Sequence, residues 1–241
     1  MIAAAPLSLL NPRTGSIHTW QARASARTIV LLGVPIVLAL HLLDAWAFHY
    51  FFQPEFRELG FFLPDWYQVL RQTGNMLTWA LVAAMLWGVD ARRTRAVLPR
   101  SSWRRAGWLT LATVGAGLIA ELLKLILARE RPLVSGGRLA EDFQQYAHHW
   151  PLIDPLMGQG NLGIPSSHTA VAFAGAIALG RLIPGTWPVL LLLALGCAWT
   201  RMLMGAHYLT DVALGAVIAW AWVVRLGPAP SGPTAASGLN R

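Results

Sequence analysis

The sequence has few charged residues and almost no lysine or cysteine. Of its 241 residues, 12% are charged and 55% are hydrophobic, whereas about 25% of the residues of a soluble domain are charged. This composition argues against a soluble globular domain and favours an integral membrane protein. Cys197 is the only cysteine, so the chain forms no internal disulfide. Lys124 is the only lysine among 19 lysines and arginines.

Long apolar runs fill most of the chain. A membrane-spanning helix needs roughly 20 apolar residues, and six segments approach that length. The predicted spans cover about residues 28–48, 72–89, 106–127, 168–184, 187–204 and 208–226. We therefore expect an all-α integral membrane bundle of six transmembrane helices, which forms a single membrane domain over residues 28–226.

The residues outside this predicted domain are polar or of low complexity. Residues 1–27 contain three arginines and are predicted to be a cytoplasmic N-terminal segment. Residues 227–241 are rich in Gly, Pro, Ser and Ala, so a disordered C-terminal tail is predicted there.

The distribution of arginine predicts the orientation of the spans. Arginines lie before span one, between spans two and three, at the end of span four beside the four–five link, and after span six. By the positive-inside rule these links and both termini are cytoplasmic, so the remaining links face outward. The arginines that give the net charge of +8 are distributed among the predicted cytoplasmic links and termini and are not gathered on one soluble face. No nucleic-acid partner is therefore expected. The preference for arginine suggests a GC-rich bacterial genome, and hence the cytoplasmic (inner) membrane of a bacterium.

Two cations stand seven residues apart at the end of span three. Lys124 is followed by Arg131, and Arg131 precedes Pro132. Seven residues make two helical turns, so both side chains are predicted to project from nearly the same helix face. Two neighbouring cations repel each other unless an anion lies between them, which indicates a phosphate site. Taken alone, this pattern is better explained by chance placement of one lysine among many basic residues.

A second motif, Pro165-Ser166-Ser167-His168, opens span four. Pro and Ser favour helix starts, and the free N–H groups of a helix start bind anions. Ser166 and Ser167 add hydroxyl donors, and His168 is suited to deliver a proton to a leaving oxygen. The alternative is a plain helix cap beside an interfacial histidine.

A third motif runs from the end of span five into span six. His207 and Asp211 are four residues apart and are predicted to share a helix face, while Gly205 allows a tight turn before them. A carboxylate bonded to one imidazole nitrogen leaves the other free as a nucleophile. Arg201 offers a planar fork for phosphate oxygens. The alternative is that His207 and Asp211 only hydrogen-bond each other at a membrane interface, although placing ionisable residues there is energetically costly.

The predicted topology places all three motifs on the outer face. Together they resemble the type 2 phosphatidic acid phosphatase family, whose signature is Lys-x6-Arg-Pro, Pro-Ser-Gly-His and Ser-Arg-x5-His-x3-Asp. The resemblance covers residues 124–211, and the order and spacings match. Ser167 stands where the family has Gly, and Thr200 stands where it has Ser. Neither difference removes a catalytic group.

The resemblance implies a role for each motif residue. His207 attacks phosphorus and forms a phosphohistidine, Asp211 orients His207, and His168 protonates the leaving group and then activates water. Backbone amides of residues 166–168 assist in holding the phosphate. The implied phosphate-binding side chains are Lys124, Arg131, Ser166, Ser167 and Arg201. Three cations replace a metal in this scheme, so no metal and no other cofactor is expected.

We therefore expect a membrane enzyme that hydrolyses a lipid phosphate or diphosphate. Candidate substrates are undecaprenyl diphosphate, phosphatidylglycerol phosphate, phosphatidic acid and lipid A. One alternative is a lipid phosphotransferase that uses the same phosphohistidine. Another is a non-catalytic transporter or binding protein on this fold, although a silent relative is expected to lack one of the catalytic residues and this chain has all three.

Other polar residues near the spans have plainer interpretations. Asp44, His41 and His49 are predicted to form an interfacial cluster at the outer end of span one, and Glu121 is predicted to be a structural partner of a nearby cation. The link at about 129–165 is predicted to form a short helix or a lid over the site.

Overall fold

The computed structural model describes residues 25–59, 63–94, 100–132, 134–135, 138–139, 153 and 161–232. Most of the predicted N-terminal segment, most of the predicted disordered tail and most of the predicted lid lie outside these residues.

The described residues are almost entirely α-helical. Their nine α-helices are α1 (Ala26–Leu40), α2 (Asp44–Phe51), α3 (Pro54–Glu58), α4 (Asp65–Gln72), α5 (Met76–Thr94), α6 (Arg100–Leu127), α7 (Ser167–Leu182), α8 (Trp187–Leu203) and α9 (Leu209–Arg225). A 3-10 turn, His41–Leu43, joins α1 to α2. Two short strands, β1 (Val134–Ser135) and β2 (Arg138–Leu139), pair antiparallel. The expected all-α fold is confirmed, and a helix occupies each of the six predicted spans.

Local sequence explains several helix boundaries. Ser25 precedes α1 and its hydroxyl accepts a hydrogen bond from Thr28 N at 3.1 Å, which is the usual role of serine at a helix start. Pro188 lies in the first turn of α8, where its missing N–H has no helical partner to lose. Gly205 has a φ of +64° and forms the predicted tight turn between α8 and α9.

Helix α7 lies at the centre of the bundle and packs against α6, α8 and α9. Small side chains allow this close packing. The alanines of α7 that are buried are Ala170, Ala172, Ala174, Ala176 and Ala178. On α9, a Cβ atom at Gly215 would lie 2.6 Å from the Ser166 carbonyl oxygen. The start of α7 is therefore held directly against the backbone of α9.

The outer surface of the bundle carries many large apolar side chains. Leu31, Met85, Leu122 and Leu192 are each more than half exposed, on four different helices. Two helical stretches, Ala26–Phe51 and Ser102–Leu127, are long and apolar enough to cross a membrane, and Trp187–Leu203 is a shorter apolar helix. Within the described residues two such stretches are found where the sequence predicted six spans. The helices are therefore present, but their length and apolarity do not by themselves establish a six-span membrane bundle.

Candidate active site

Backbone hydrogen bonds bring the three motifs together at one end of the bundle. Gly163 N donates to the Arg129 carbonyl oxygen at 2.8 Å, which ties the segment after α6 to the segment before α7. Ser166 N donates to the Asp211 carbonyl oxygen at 2.9 Å, which ties the start of α7 to the first turn of α9. A Cβ atom at Gly163 would lie 3.1 Å from Asp211 Oδ2, so the chain passes very close to this carboxylate.

Arg131 reaches the site by a different route from the predicted one. The prediction that Lys124 and Arg131 share a helix face is wrong, because α6 ends before Ala128, whose φ is +45°. Beyond that residue the chain is extended, and Arg131 Nε donates to the Leu162 carbonyl oxygen at 3.0 Å. Arg131 nevertheless lies close enough to His207 to interact with it electrostatically. The two cations therefore meet through tertiary folding and not through helix periodicity.

Lys124 is buried and bonded to two side chains. Its Nζ atom donates to Glu121 Oε1 at 2.8 Å and to Ser167 Oγ at 3.2 Å. Glu121, predicted to be a structural partner of a nearby cation, is thus paired with Lys124 on the same helix. Ser167, which replaces the glycine of the family signature, supplies a hydroxyl to this ammonium group.

Ser166 and Thr200 are fully buried, and their hydroxyl groups form hydrogen bonds with residues three positions away in the chain. Ser166 Oγ accepts hydrogen bonds from Thr169 N at 3.4 Å and from Thr169 Oγ1 at 3.1 Å, so Ser166 caps α7. Its amide donates to Asp211, so this N–H group is used inside the protein. Thr200 Oγ1 donates to the Cys197 carbonyl oxygen at 2.7 Å, so the additional methyl group of threonine at this position is accommodated in the core.

His207 and Asp211 form a buried pair at the start of α9. His207 Nδ1 lies 3.3 Å from Asp211 Oδ2, and the same oxygen accepts a hydrogen bond from Tyr208 N at 3.0 Å. The predicted pairing is present, but His207 precedes α9, which begins at Leu209. Asp211 thus caps its own helix and faces the histidine at the same time.

The surroundings of His207 favour its neutral form. Burial lowers the pKa of His207 well below its ordinary value, and the positive charges of Arg201, Arg131 and Lys124 lower this pKa further. A neutral imidazole with Nδ1 held by a carboxylate presents the lone pair of Nε2 for attack. His168 is close enough to His207 and Arg201 to interact with both electrostatically.

Arg201 is a buried cation that lacks a complete set of partners. Its side chain is only 5% exposed, and its Nε atom has no hydrogen-bond acceptor among the residues that the structure describes. A buried charge without compensation is costly. Because Arg201 also interacts electrostatically with His207, this guanidinium is suited to binding an anion beside the histidine.

Two buried charged residues were not predicted as site residues. Arg129 is 1% exposed and hydrogen-bonds Asp211, and Asp44 is fully buried and hydrogen-bonds Arg129. The predicted interfacial cluster is thus divided, because Asp44 lies beneath the site beside His41, whereas His49 is exposed. Both are charged residues near an apolar span, which is the feature of the sequence that could have identified them. Spacing along the chain did not connect Asp44 with Arg129, which lies 85 residues later.

Arg71 on α4 is a further cation near the site. It lies close enough to His168 and Arg201 to interact with both electrostatically. Within the parts of the chain that the structure covers, no group of three or more His, Cys, Asp or Glu side chains is placed to hold a metal ion.

Comparisons with known proteins agree with the geometry of the motifs. The model of the PAP2 superfamily matches residues 105–227, just over half of the chain. Two curated relatives are described as decaprenylphosphoryl-5-phosphoribose phosphatase, from Mycobacterium tuberculosis strains CDC 1551 / Oshkosh and ATCC 25618 / H37Rv. Each is 30% identical to this chain over 135 residues, which are 55% of this chain and 64% of the relative.

The matched part is thus less than two thirds of the length of either relative. No solved structure matched this chain. Because the match to the superfamily model contains all three motifs, the chain belongs to the PAP2 superfamily.

Proposed function

We propose that this protein is an integral membrane phosphatase that hydrolyses a lipid-linked phosphate or diphosphate through a phosphohistidine on His207. The observation that carries the proposal is the buried His207–Asp211 pair, which has three cations within electrostatic reach. Those cations are Lys124, Arg131 and Arg201.

The first step transfers the phosphoryl group to the enzyme. The lone pair of His207 Nε2 forms a bond to phosphorus while the bond between phosphorus and the leaving oxygen breaks. The leaving oxygen, which belongs to a lipid alcohol or a lipid phosphate, takes a proton from the His168 imidazolium. Asp211 holds His207 in orientation from Nδ1 and stabilises the positive charge that develops on the ring.

The second step returns the enzyme to its starting state. Neutral His168 accepts a proton from water as the water oxygen bonds to phosphorus and the phosphorus–nitrogen bond breaks. The electron pair returns to His207, and inorganic phosphate leaves. A second lipid hydroxyl in place of water would instead give phosphotransfer, which is the alternative enzymatic reaction.

Positioning and charge stabilisation supply most of the catalysis in phosphoryl transfer. Arg201 supplies a fork whose Nε has no acceptor among the described side chains and backbone groups. Lys124 and Arg131 lie within electrostatic reach of the same histidine, and the amides of residues 167 and 168 stand at the start of α7. Ser167 completes the proposed phosphate site, whereas Ser166, which was also predicted to bind phosphate, is fully buried as the cap of α7 and supports the start of that helix. With these donors in place, we propose that hydrolysis requires no metal ion.

The placement of the site supports a membrane orientation with the site outward. Helix α6 begins in the arginine-rich link and ends just before Arg129. Its 28 residues correspond to a length of roughly 40 Å, so the arginine cluster and the site lie at opposite ends of the bundle. Exposed apolar side chains such as Leu111, Leu118 and Leu122 lie along α6 between these ends. We propose six membrane spans within 28–226, cytoplasmic termini and a site on the outer side of a bacterial inner membrane.

Phosphate release by the purified protein tests the proposed function. The panel comprises undecaprenyl diphosphate, phosphatidylglycerol phosphate, phosphatidic acid and lipid A, assayed in detergent with EDTA. The described activity of the relatives adds decaprenylphosphoryl-5-phosphoribose. We expect release from at least one lipid, and a loss of at least about 1000-fold in His207→Ala.

A matched control is His49→Ala, because His49 is exposed and lies outside the site. Release that survives His207→Ala would show that the nucleophile is wrong, and release that EDTA abolishes would refute metal independence. A newly phosphorylated lipid without free phosphate would indicate phosphotransfer, and no reaction with any lipid would indicate a non-catalytic protein.

A further inference from the structure

Arg129 occupies the centre of a buried network behind the candidate nucleophile. Its Nη1 atom donates to Thr210 Oγ1 at 2.8 Å and to Asp211 Oδ1 at 3.3 Å. Its Nη2 atom donates to Asp44 Oδ2 at 2.9 Å. The guanidinium carbon lies 4.1 Å from the centre of the Tyr208 ring. The Nε atom has no acceptor among the described residues, but both terminal nitrogens are engaged by the protein and the side chain is only 1% exposed.

Asp44 holds the other side of this network. Its Oδ1 accepts a hydrogen bond from Thr210 N at 2.9 Å, and its Oδ2 accepts one from Thr210 Oγ1 at 2.6 Å. His41 Nδ1 lies 3.0 Å from the same Oδ2. Asp44 therefore caps the first turn of α9 from a different helix, and at the same time it fixes one arm of Arg129.

The two oxygens of Asp211 have different partners. Oδ1 faces Arg129, whereas Oδ2 faces His207 and accepts a hydrogen bond from the Tyr208 amide. A planar guanidinium can serve two carboxylates in fixed directions at once, which a lysine ammonium on a flexible stem cannot reproduce. The orientation of the Asp211 carboxylate relative to His207 is therefore set from its far oxygen.

We propose that Arg129 and Asp44 are positioning residues for the Asp211–His207 pair, and that Arg129 is not a phosphate ligand. This inference rests on the proposed function, because it assigns these two residues to the step in which His207 attacks phosphorus. Arg129 lies between Lys124 and Arg131 in the sequence, but its hydrogen bonds direct it away from that role and toward the carboxylates.

The test compares buried arginines at the two ends of the bundle. Arg129→Met removes the proposed positioning group, and Arg129→Lys retains the charge without the fork. The matched control is Arg105→Met, because Arg105 Nη1 forms a buried ion pair with Asp90 Oδ1 at 2.9 Å at the arginine-rich end. Phosphate release gives kcat and KM for each variant, and thermal unfolding shows how far each is destabilised.

We expect Arg129→Met to lower kcat by roughly 10- to 100-fold while KM changes by less than about 3-fold. Arg129→Lys should recover part of the lost kcat. Arg105→Met should lower the unfolding temperature and leave kcat within about 2-fold. The double variant Asp44→Leu with Arg129→Met removes both of these charges together, so neither is left without the other. This double variant is assayed if the single variant does not fold. It should show the same loss of kcat.

Four results would overturn the inference. An unchanged kcat in the folded double variant would show that the network is only structural. A raised KM with unchanged kcat in Arg129→Met would make Arg129 a substrate ligand. A wild-type protein that releases no phosphate would overturn the proposed function, and this inference with it, whereas an active wild type beside an equally active Arg129 variant overturns this inference alone.

Discussion

The cations of the site differ in their local partners, and this difference follows from their chemistry. The Lys124 ammonium is compact and donates to Glu121 and Ser167 at 2.8 and 3.2 Å. Arg201 is buried with a partly unsatisfied planar fork. A fork suits two oxygens of one phosphate group, whereas an ammonium acts as a point charge. The single lysine therefore acts as a point charge, whereas Arg201 offers donors in a fixed plane.

Replacing Arg201 by lysine tests the need for this fork. Arg201→Lys keeps the charge but loses paired donors, and hydrogen bonds to charged groups contribute about 1.5–3 kcal/mol. We expect kcat/KM for phosphate release to fall roughly 10- to 100-fold. Arg225→Lys, at an exposed position on the last turn of α9, is the control and should retain activity. Equal activity of both variants would exclude a bidentate role for Arg201.

The acid limb of the pH profile tests the protonation state of His207. Protonated His207 cannot attack phosphorus, and burial together with nearby cations lowers its pKa well below the ordinary 6.5. The neutral form therefore persists as the pH falls through 6.5. The measured kcat/KM is first corrected for ionisation of the substrate phosphate, which titrates at about pH 6. We expect the corrected kcat/KM to remain undiminished from pH 7 to below about pH 6. An enzyme group that titrates at 6.5 or above, and whose protonation abolishes activity, would contradict this.

At the scale of elements, the contact between α7 and α9 fixes the relative position of two motifs. Ser166 and His168 stand at the start of α7, while Asp211 lies in the first turn of α9. Gly215 lets the two backbones approach, since a Cβ atom there would lie 2.6 Å from Ser166 O and 3.2 Å from Ala170 N. Both obstacles are backbone atoms, so the helices themselves would have to move apart.

Gly215→Ala is therefore expected to impair both stability and activity. Overpacking of this kind costs typically about 1–3 kcal/mol, and it would displace His168 from His207. Thermal unfolding and phosphate release measure the two effects. The control is Gly88→Ala, because a Cβ atom at Gly88 would meet no atom of the other described parts of the chain within 4 Å. A Gly215→Ala protein as stable and active as the Gly88→Ala protein would show that this close approach is not required.

At the scale of the whole molecule, apolar exposure and arginine placement suggest one orientation. Large apolar side chains face outward on α1, α5, α6 and α8, where water would disfavour them. Arg92 and Arg93 in the last turn of α5 and Arg104 near the start of α6 lie at the end opposite to the site. A bilayer that covers the apolar surface would place the site on one side and the arginines on the other.

Cysteine labelling in intact cells tests this orientation. Cys197 is buried, so a Cys197→Ala background removes the single native thiol. Glu58→Cys lies at the end of α3 on the proposed outer side, and Ser231→Cys follows α9 on the proposed inner side. A membrane-impermeant maleimide should label the first variant in intact cells and the second only after lysis. Labelling of both in intact cells, or the reverse pattern, would refute the proposed topology.

Much of this architecture could be predicted because it depends on local pattern. The apolar runs predicted a helix at each of six positions, and a helix is found at each. The His207–Asp211 pairing followed from a spacing of four residues, which also brings side chains together across a helix start. The motif residues were identified by their chemistry, because phosphoryl transfer calls for cations, a nucleophile and a proton donor in a recognisable order.

The sequence by itself thus determined the helices, the motif residues and the family. Tertiary structure decided what surrounds them. Periodicity extended α6 to Arg131, but the chain turns at Ala128, and Arg129 enters the core, where Asp44 and Asp211 satisfy its charge. These partners lie more than 80 residues from Arg129. A contact over such a separation depends on how the helices pack, and the spacing of residues along the chain does not contain that information.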